Sequence, residues 1–91
     1  MYANRVDRNQ QEIVDALRAR GAKVWVISQG GGLPDLLVSY KGKTLLLEVK
    51  DGEKPPSQRK LTPAEQKFFN EWTGGTLKIV NSAQEALDLL E

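Results

Sequence analysis

The sequence predicts an α/β domain with elements in the order α-β-β-β-α-β-α. Three observations lead to this. Apolar residues recur at helical spacing near both ends of the chain. Alternating apolar stretches, the mark of strands, fill the middle. Two helix-start signals, Thr62 with Glu65 and Ser82 with Glu85, flank one more short apolar stretch. The 91 residues make a single domain, residues 1–91, with a core modest enough that dimerisation would help it.

Residues 9–20 read as the first helix, with Ile13, Ala16 and Leu17 as its apolar stripe. Val6 extends the stripe if the helix starts earlier, and Gly21 is the stop signal. Residues 22–28 alternate with apolar side chains on both sides, which predicts a strand covered on both faces. The loop Gln29-Gly30-Gly31-Gly32 follows. Residues 33–40 and 44–50 are two strands joined at Lys41-Gly42-Lys43, a hairpin signal. Residues 51–60 are polar and broken by Pro55-Pro56, a surface loop. In the next helix Thr62 caps, Pro63 sits at the first helical position and Glu65 closes a capping box. That helix runs to about Thr73, with Phe68, Phe69 and Trp72 as its core face. A strand over residues 76–80 leads to a final helix with Ala86, Leu87 and Leu90 inward.

Composition narrows the chemistry. With no histidine and no cysteine, an active site must come from carboxylates, amines, amides and hydroxyls. No apolar run approaches a bilayer span, and no signal-peptide core follows Met1, so a cytoplasmic setting without membrane contact is expected. The net charge of +1 is unevenly spread. Residues 41–60 carry six Lys/Arg against three acids, and residues 61–91 carry two against five. The positive charge gathers where a polyanion could use it, although ordinary surface charge gives the same count.

The residues that carry chemistry lie on the hairpin. A two-residue turn at Lys41-Gly42 pairs Tyr40 with Lys43 and sets Asp35 opposite Glu48. A bulged turn would shift that register. Two ionised carboxylates at about 4.5–5.5 Å repel unless a cation lies between them or one is protonated. In Leu45-Leu46-Leu47-Glu48-Val49-Lys50 the period of two puts Glu48 and Lys50 on one face. That placement is equally that of a strand leaving the core for solvent. Glycines before Pro34-Asp35 allow close approach by a ligand or another chain segment. Gln66 lies about 100° round the helix from Glu65, either aimed at the site or solvated.

Gly32-Leu33-Pro34-Asp35, then Glu48-Val49-Lys50, then Leu61-Thr62 with Gln66 and Trp72, resembles the VRR-NUC family over nearly the whole chain. That family belongs to the PD-(D/E)XK, or restriction-endonuclease-like, superfamily; the likeness here is to its stand-alone phage and bacterial members. The resemblance implies a restriction-endonuclease-like core, a central mixed sheet flanked by helices. It implies that Asp35 and Glu48 bind metal with the main-chain carbonyl of Val49, and that Lys50 orients water and stabilises charge at a phosphate. It matches Glu12, as a further catalytic and metal-binding carboxylate, to an acidic residue on the first helix, and Gln66, as a catalytic residue, to a glutamine after the loop. Glu12 has a second reading, since Asn9 and Glu12 also have capping-box spacing.

The activity implied is that of a metal-dependent, structure-selective endonuclease on branched DNA such as a four-way Holliday junction, acting as a homodimer in a bacterial or phage-infected cell. The alternative is a non-catalytic DNA-binding or scaffold module that keeps the nuclease fold. Oxygen ligands suit Mg²⁺, with Mn²⁺ as substitute, and no organic cofactor is expected. Lys54, Arg59, Lys60 and Arg8 or Arg5 are the expected phosphate contacts, with Ser28 near the scissile bond.

Overall fold

Helix α1 (Ala3–Ala19) leads into β1 (Lys23–Val26), β2 (Leu36–Tyr40) and β3 (Lys43–Val49). A single 3₁₀ turn (Pro56–Gln58) precedes α2 (Pro63–Glu71), β4 (Thr76–Val80) and α3 (Ala83–Asp88). This computed structural model describes the backbone of residues 3–91 and the side chains from residue 8 onward. The Val6 and Arg5 side chains, expected on the α1 stripe and among the phosphate contacts, lie outside the described residues. The α-β-β-β-α-β-α order of the sequence reading is the order of the fold. Among the described residues no helix is long and apolar enough to cross a membrane.

The four strands form one mixed sheet in the order β1-β2-β3-β4. The first three are antiparallel neighbours, and β4 lies parallel to β3 because α2 carries the chain back across the sheet. The β2–β3 register pairs Tyr40 with Lys43, as a two-residue turn requires. Lys41 (φ 47°) and Gly42 (φ 82°) both sit at positive φ, the backbone that matches strand twist in tight hairpins. Lys41 tolerates this strained region without a glycine.

The core occupies one face of the sheet. Ile13, Val14 and Leu17 of α1 and Ala86 of α3 cover Val24, Leu36, Val38, Leu45, Leu47 and Val80, all buried. Leu90 closes the far end and is also buried. Buried residues alternate along β2, whereas β3 is buried at four consecutive positions, Leu45 to Glu48, so its second face is covered as well at Leu46 and Glu48.

Several local expectations are corrected. α1 begins at Ala3, so Asn9 lies inside the helix and caps nothing. β1 is an edge strand buried only at Val24; Trp25 (52%) and Val26 (53%) are exposed, so it is not covered on both faces. α2 buries none of its residues. Phe68 and Phe69 are half-buried, and Trp72 lies past the helix end, stacked on Phe68 at 5.5 Å with its indole N–H donated to Gly75 O at 2.7 Å. The aromatic group closes the end of α2 instead of entering the core. At α3 the Ser82 hydroxyl accepts from Glu85 N–H at 3.2 Å, but Glu85 reaches back to Asn81 N–H at 2.8 Å, one residue beyond the reciprocal capping box.

Candidate active site

The site is built where the sheet's hydrogen bonding runs out. Asp35 precedes β2, yet its backbone still bridges both neighbours: its carbonyl accepts from Ile27 N–H at 2.8 Å and its N–H donates to Leu47 O at 3.0 Å. It therefore stands one residue beyond the Leu36–Leu47 pair, beside Glu48. The Asp35 carboxylate accepts from Val49 N–H at 2.8 Å, which fixes it against the backbone between Glu48 and Lys50. Lys50 N–H donates to Val80 O at 3.0 Å, so parallel pairing with β4 holds the strand rigid through the lysine. From the first helix, the Asn9 side-chain amide donates to Lys50 O at 2.9 Å and to Asn81 O at 3.4 Å, tying α1 to the ends of β3 and β4.

Two approaches complete the site. A Cβ on Gly32 (φ 91°) would collide with Ala64 O, so the glycine loop is pressed onto the first turn of α2. The close approach foreseen for that loop is made by the chain's own backbone. The same turn carries the intact capping box, with Thr62 Oγ1 accepting from Glu65 N–H at 3.2 Å and Glu65 Oε1 accepting from Thr62 N–H at 2.8 Å. Glu65 Oε1 also accepts from Lys50 Nζ at 3.0 Å. Lys50 Nζ thus lies between Glu65 and Glu48, whose Oε2 is 3.6 Å away.

Electrostatics follow from this crowding. Glu48 is 3% exposed, and among the described residues its buried Oε1 has no donor. Burial first, then the charges of Asp35 and Glu65, push the Glu48 carboxyl up to about 8 against an ordinary 4.5. Burial likewise raises Asp35, opposed by the Val49 N–H. Burial disfavours the Lys50 charge, but Glu65 and Glu48 outweigh it and raise the ammonium above its usual range. Burial also works against the Glu65 charge, yet the Thr62 N–H and Lys50 hold that carboxyl below its ordinary value. A carboxylate pair, Glu48 buried and Asp35 half-buried, offering only oxygen ligands fits a hard divalent cation. Among the described residues no three acidic side chains form a ready cation cluster; the donor set is two carboxylates and a neighbouring main chain. Mg²⁺ accepts such a sparse set because it keeps several waters.

A cavity of about 520 Å³ opens over this group, lined by Asp35, Glu48, Val49, Lys50 and Glu65 with Asn9, Gln10 and Lys54. A second cavity of about 670 Å³ adjoins it across Asn9 and Asp51 and contains Arg8, Glu12 and Arg59. Of the residues singled out in the sequence, Asp35, Glu48, Val49, Lys50 and Lys54 come together. Arg8, Arg59 and Glu12 lie in the neighbouring cavity, because α1 turns Asn9 and Gln10 toward the carboxylates. Lys60 and Ser28 are exposed and line neither cavity. Gln66 is exposed and donates to Asn70 Oδ1 at 2.9 Å, one turn along the solvent side of α2. Glu65 takes the place expected of it, drawn in by Thr62 and Lys50. Sequence reasoning saw Glu65 only as a cap and Asn9 only as a helix start; the signal available for Asn9 was an amide side chain within reach of an apolar helical stripe.

With this geometry in view, comparison with solved structures finds a chain described as "VRR_NUC domain". The two superimpose with a TM-score of 0.62 at 26% identity, over 91% of this chain and 90% of that one. The fold is that of a VRR-NUC domain. No family sequence model matches the chain, and no curated protein does. Within the VRR-NUC fold, the carboxylates and lysine lie at the ends of β2 and β3, where the β-hairpin meets the α2 crossover.

Proposed function

We propose that this chain is a metal-dependent, structure-selective DNA endonuclease, hydrolysing phosphodiester bonds in branched DNA such as four-way junctions and acting as a homodimer. The observation that carries this reading is the convergence of Asp35, Glu48 and Lys50 in one open cavity on a nuclease fold.

Asp35, Glu48 and the Val49 carbonyl are the groups that would hold Mg²⁺ or Mn²⁺. A metal held there would supply Lewis acidity at the phosphate and a bound water of lowered pKa. Lys50 contributes the flexible point charge. Its ammonium donates to a non-bridging phosphate oxygen and stabilises the charge that grows there. With no histidine in the chain, no imidazole shares in proton transfer. Asp35 stays aligned through the Val49 N–H, so its carboxylate needs no reorganisation on substrate binding. Lys54 at the mouth and Arg8 and Arg59 in the adjoining cavity contact flanking phosphates. Such contacts position the strand without reading its sequence, which suits recognition by shape. A two-fold dimer presents two such sites to two strands.

The test is incubation of labelled four-way junction, flap and linear duplex with Mn²⁺, Mg²⁺ or Ca²⁺. The expected result is cleavage of the branched substrates with Mn²⁺ and Mg²⁺, with paired, symmetric nicks in the junction. Binding in Ca²⁺ with no cleavage in either other metal would instead mark a non-catalytic DNA-binding module.

A further inference from the structure

A lysine that acts on a phosphate must be held, because its four-carbon stem leaves the amine free to wander. In this chain Lys50 has two carboxylate neighbours, and they are not equivalent. Glu48 lies two residues away on the same strand face, with its oxygen 3.6 Å from the amine. Glu65 comes from a different element and lies closer, at 3.0 Å. It is itself fixed twice. Its Oε1 accepts from Thr62 N–H, and the turn that carries it packs against the glycine loop where Gly32 meets Ala64. The loop that leads to Asp35 and the helix that carries Glu65 are therefore in direct contact. The lysine side chain is only 15% exposed, so this contact is shielded from water.

We propose that Glu65 is the positioning residue for Lys50. It holds the amine at the mouth of the cavity and links it to the first turn of α2. The assignment rests on the nuclease reading of the site and deepens it. Glu65 acts through Lys50 and does not touch substrate. One carboxylate oxygen serves both the helix cap and the lysine, so the start of α2 and the reactive amine are placed together.

A purely structural cap and a positioning residue make different demands on the side chain. Glutamine serves a capping box as well as glutamate does, but it carries no charge for the lysine. Thr62→Ala removes the hydroxyl half of the cap and keeps the backbone N–H that holds the Glu65 carboxylate. Three readouts on Glu65→Gln, Thr62→Ala and wild type separate the roles. These are thermal melting, steady-state junction cleavage with Mn²⁺, and acylation of Lys50 by an N-hydroxysuccinimide ester in metal-free protein, read by mass spectrometry. Glu65→Gln is expected to melt near wild type, to lose about ten- to a hundredfold in kcat with KM little changed, and to acylate faster at Lys50. Thr62→Ala is expected to melt lower while keeping kcat within about twofold and Lys50 protected. Wild-type kcat together with wild-type Lys50 labelling in Glu65→Gln overturns the inference. If wild type cleaves no branched substrate, the nuclease reading fails by itself. Labelling then decides the contact: unchanged labelling in Glu65→Gln overturns it, and faster labelling supports it.

Discussion

Replacing Glu48 with glutamine should make the metal-free protein more stable at neutral and alkaline pH. The reason is the proton that the fold forces onto this side chain. Glu48 is buried beside Asp35 and Glu65, which pushes its carboxyl from 4.5 to about 8. An acid with a raised folded-state pKa gives stability that is fully present below its unfolded value and lost as pH rises through the folded one. The loss therefore runs from about pH 4.5 to about pH 8. Each pH unit is worth at most about 1.4 kcal/mol, so this group alone can remove a few kcal/mol. Asp35, also raised, adds a loss in the same direction. The raised Lys50 loses its contribution only above its ordinary 10.5, and the lowered Glu65 only below its ordinary 4.5, so neither reverses the trend in this window. Glu48→Gln keeps the shape, carries no charge, and can donate to Asp35 and Glu65. In urea unfolding with EDTA, wild type should lose stability steadily from pH 5 to pH 8. The variant should exceed it by a few kcal/mol at pH 8, with the gap narrowing toward pH 5. Adding Mn²⁺ should stabilise wild type and leave the variant unmoved. A wild-type stability that is flat across this range, or a variant no more stable at pH 8, would refute the reasoning.

Other outcomes follow from the same geometry. Gly32→Ala should cost about 2 kcal/mol or more and lower the melting temperature by about 10 °C, since the new Cβ meets Ala64 O at positive φ; an unchanged melting curve would mean that the loop does not press on α2. Asp35→Ala should weaken Mn²⁺ binding in calorimetry, while wild type releases protons on binding, visible as heats that vary with buffer ionisation enthalpy. Gln66→Ala should leave cleavage unchanged and stability within about 0.5 kcal/mol, because this exposed side chain, among the described residues, pairs with Asn70 on the solvent side.

Strong local rules made parts of this molecule readable in advance. The turn at Lys41-Gly42 fixed the hairpin register, and with it the meeting of Asp35 and Glu48. The Thr62 capping box opened α2, and period-two alternation put Glu48 beside Lys50. Where local rules compete, the sequence was ambiguous. Asn9 and Glu12 have capping-box spacing, but α1 continues through them because Asn9 finds better partners in the carbonyls of Lys50 and Asn81. Glu65 and Gln66 differ by one residue, and only the position of Lys50 in space selects between them. Phe68 and Trp72 read as core residues by spacing. They stack on each other at the helix end, because α1 and α3 already fill the buried face of the sheet.

If this cavity performs phosphodiester hydrolysis as proposed, Lys50 separates catalysis from binding. The most direct measurement compares wild type with Lys50→Ala on a labelled four-way junction, with cleavage measured in Mn²⁺ and binding in Ca²⁺. The two proteins are expected to bind the junction alike, within a few-fold, while the variant shows no cleavage above background. Junction cleavage by Lys50→Ala at the wild-type rate would contradict this role for Lys50.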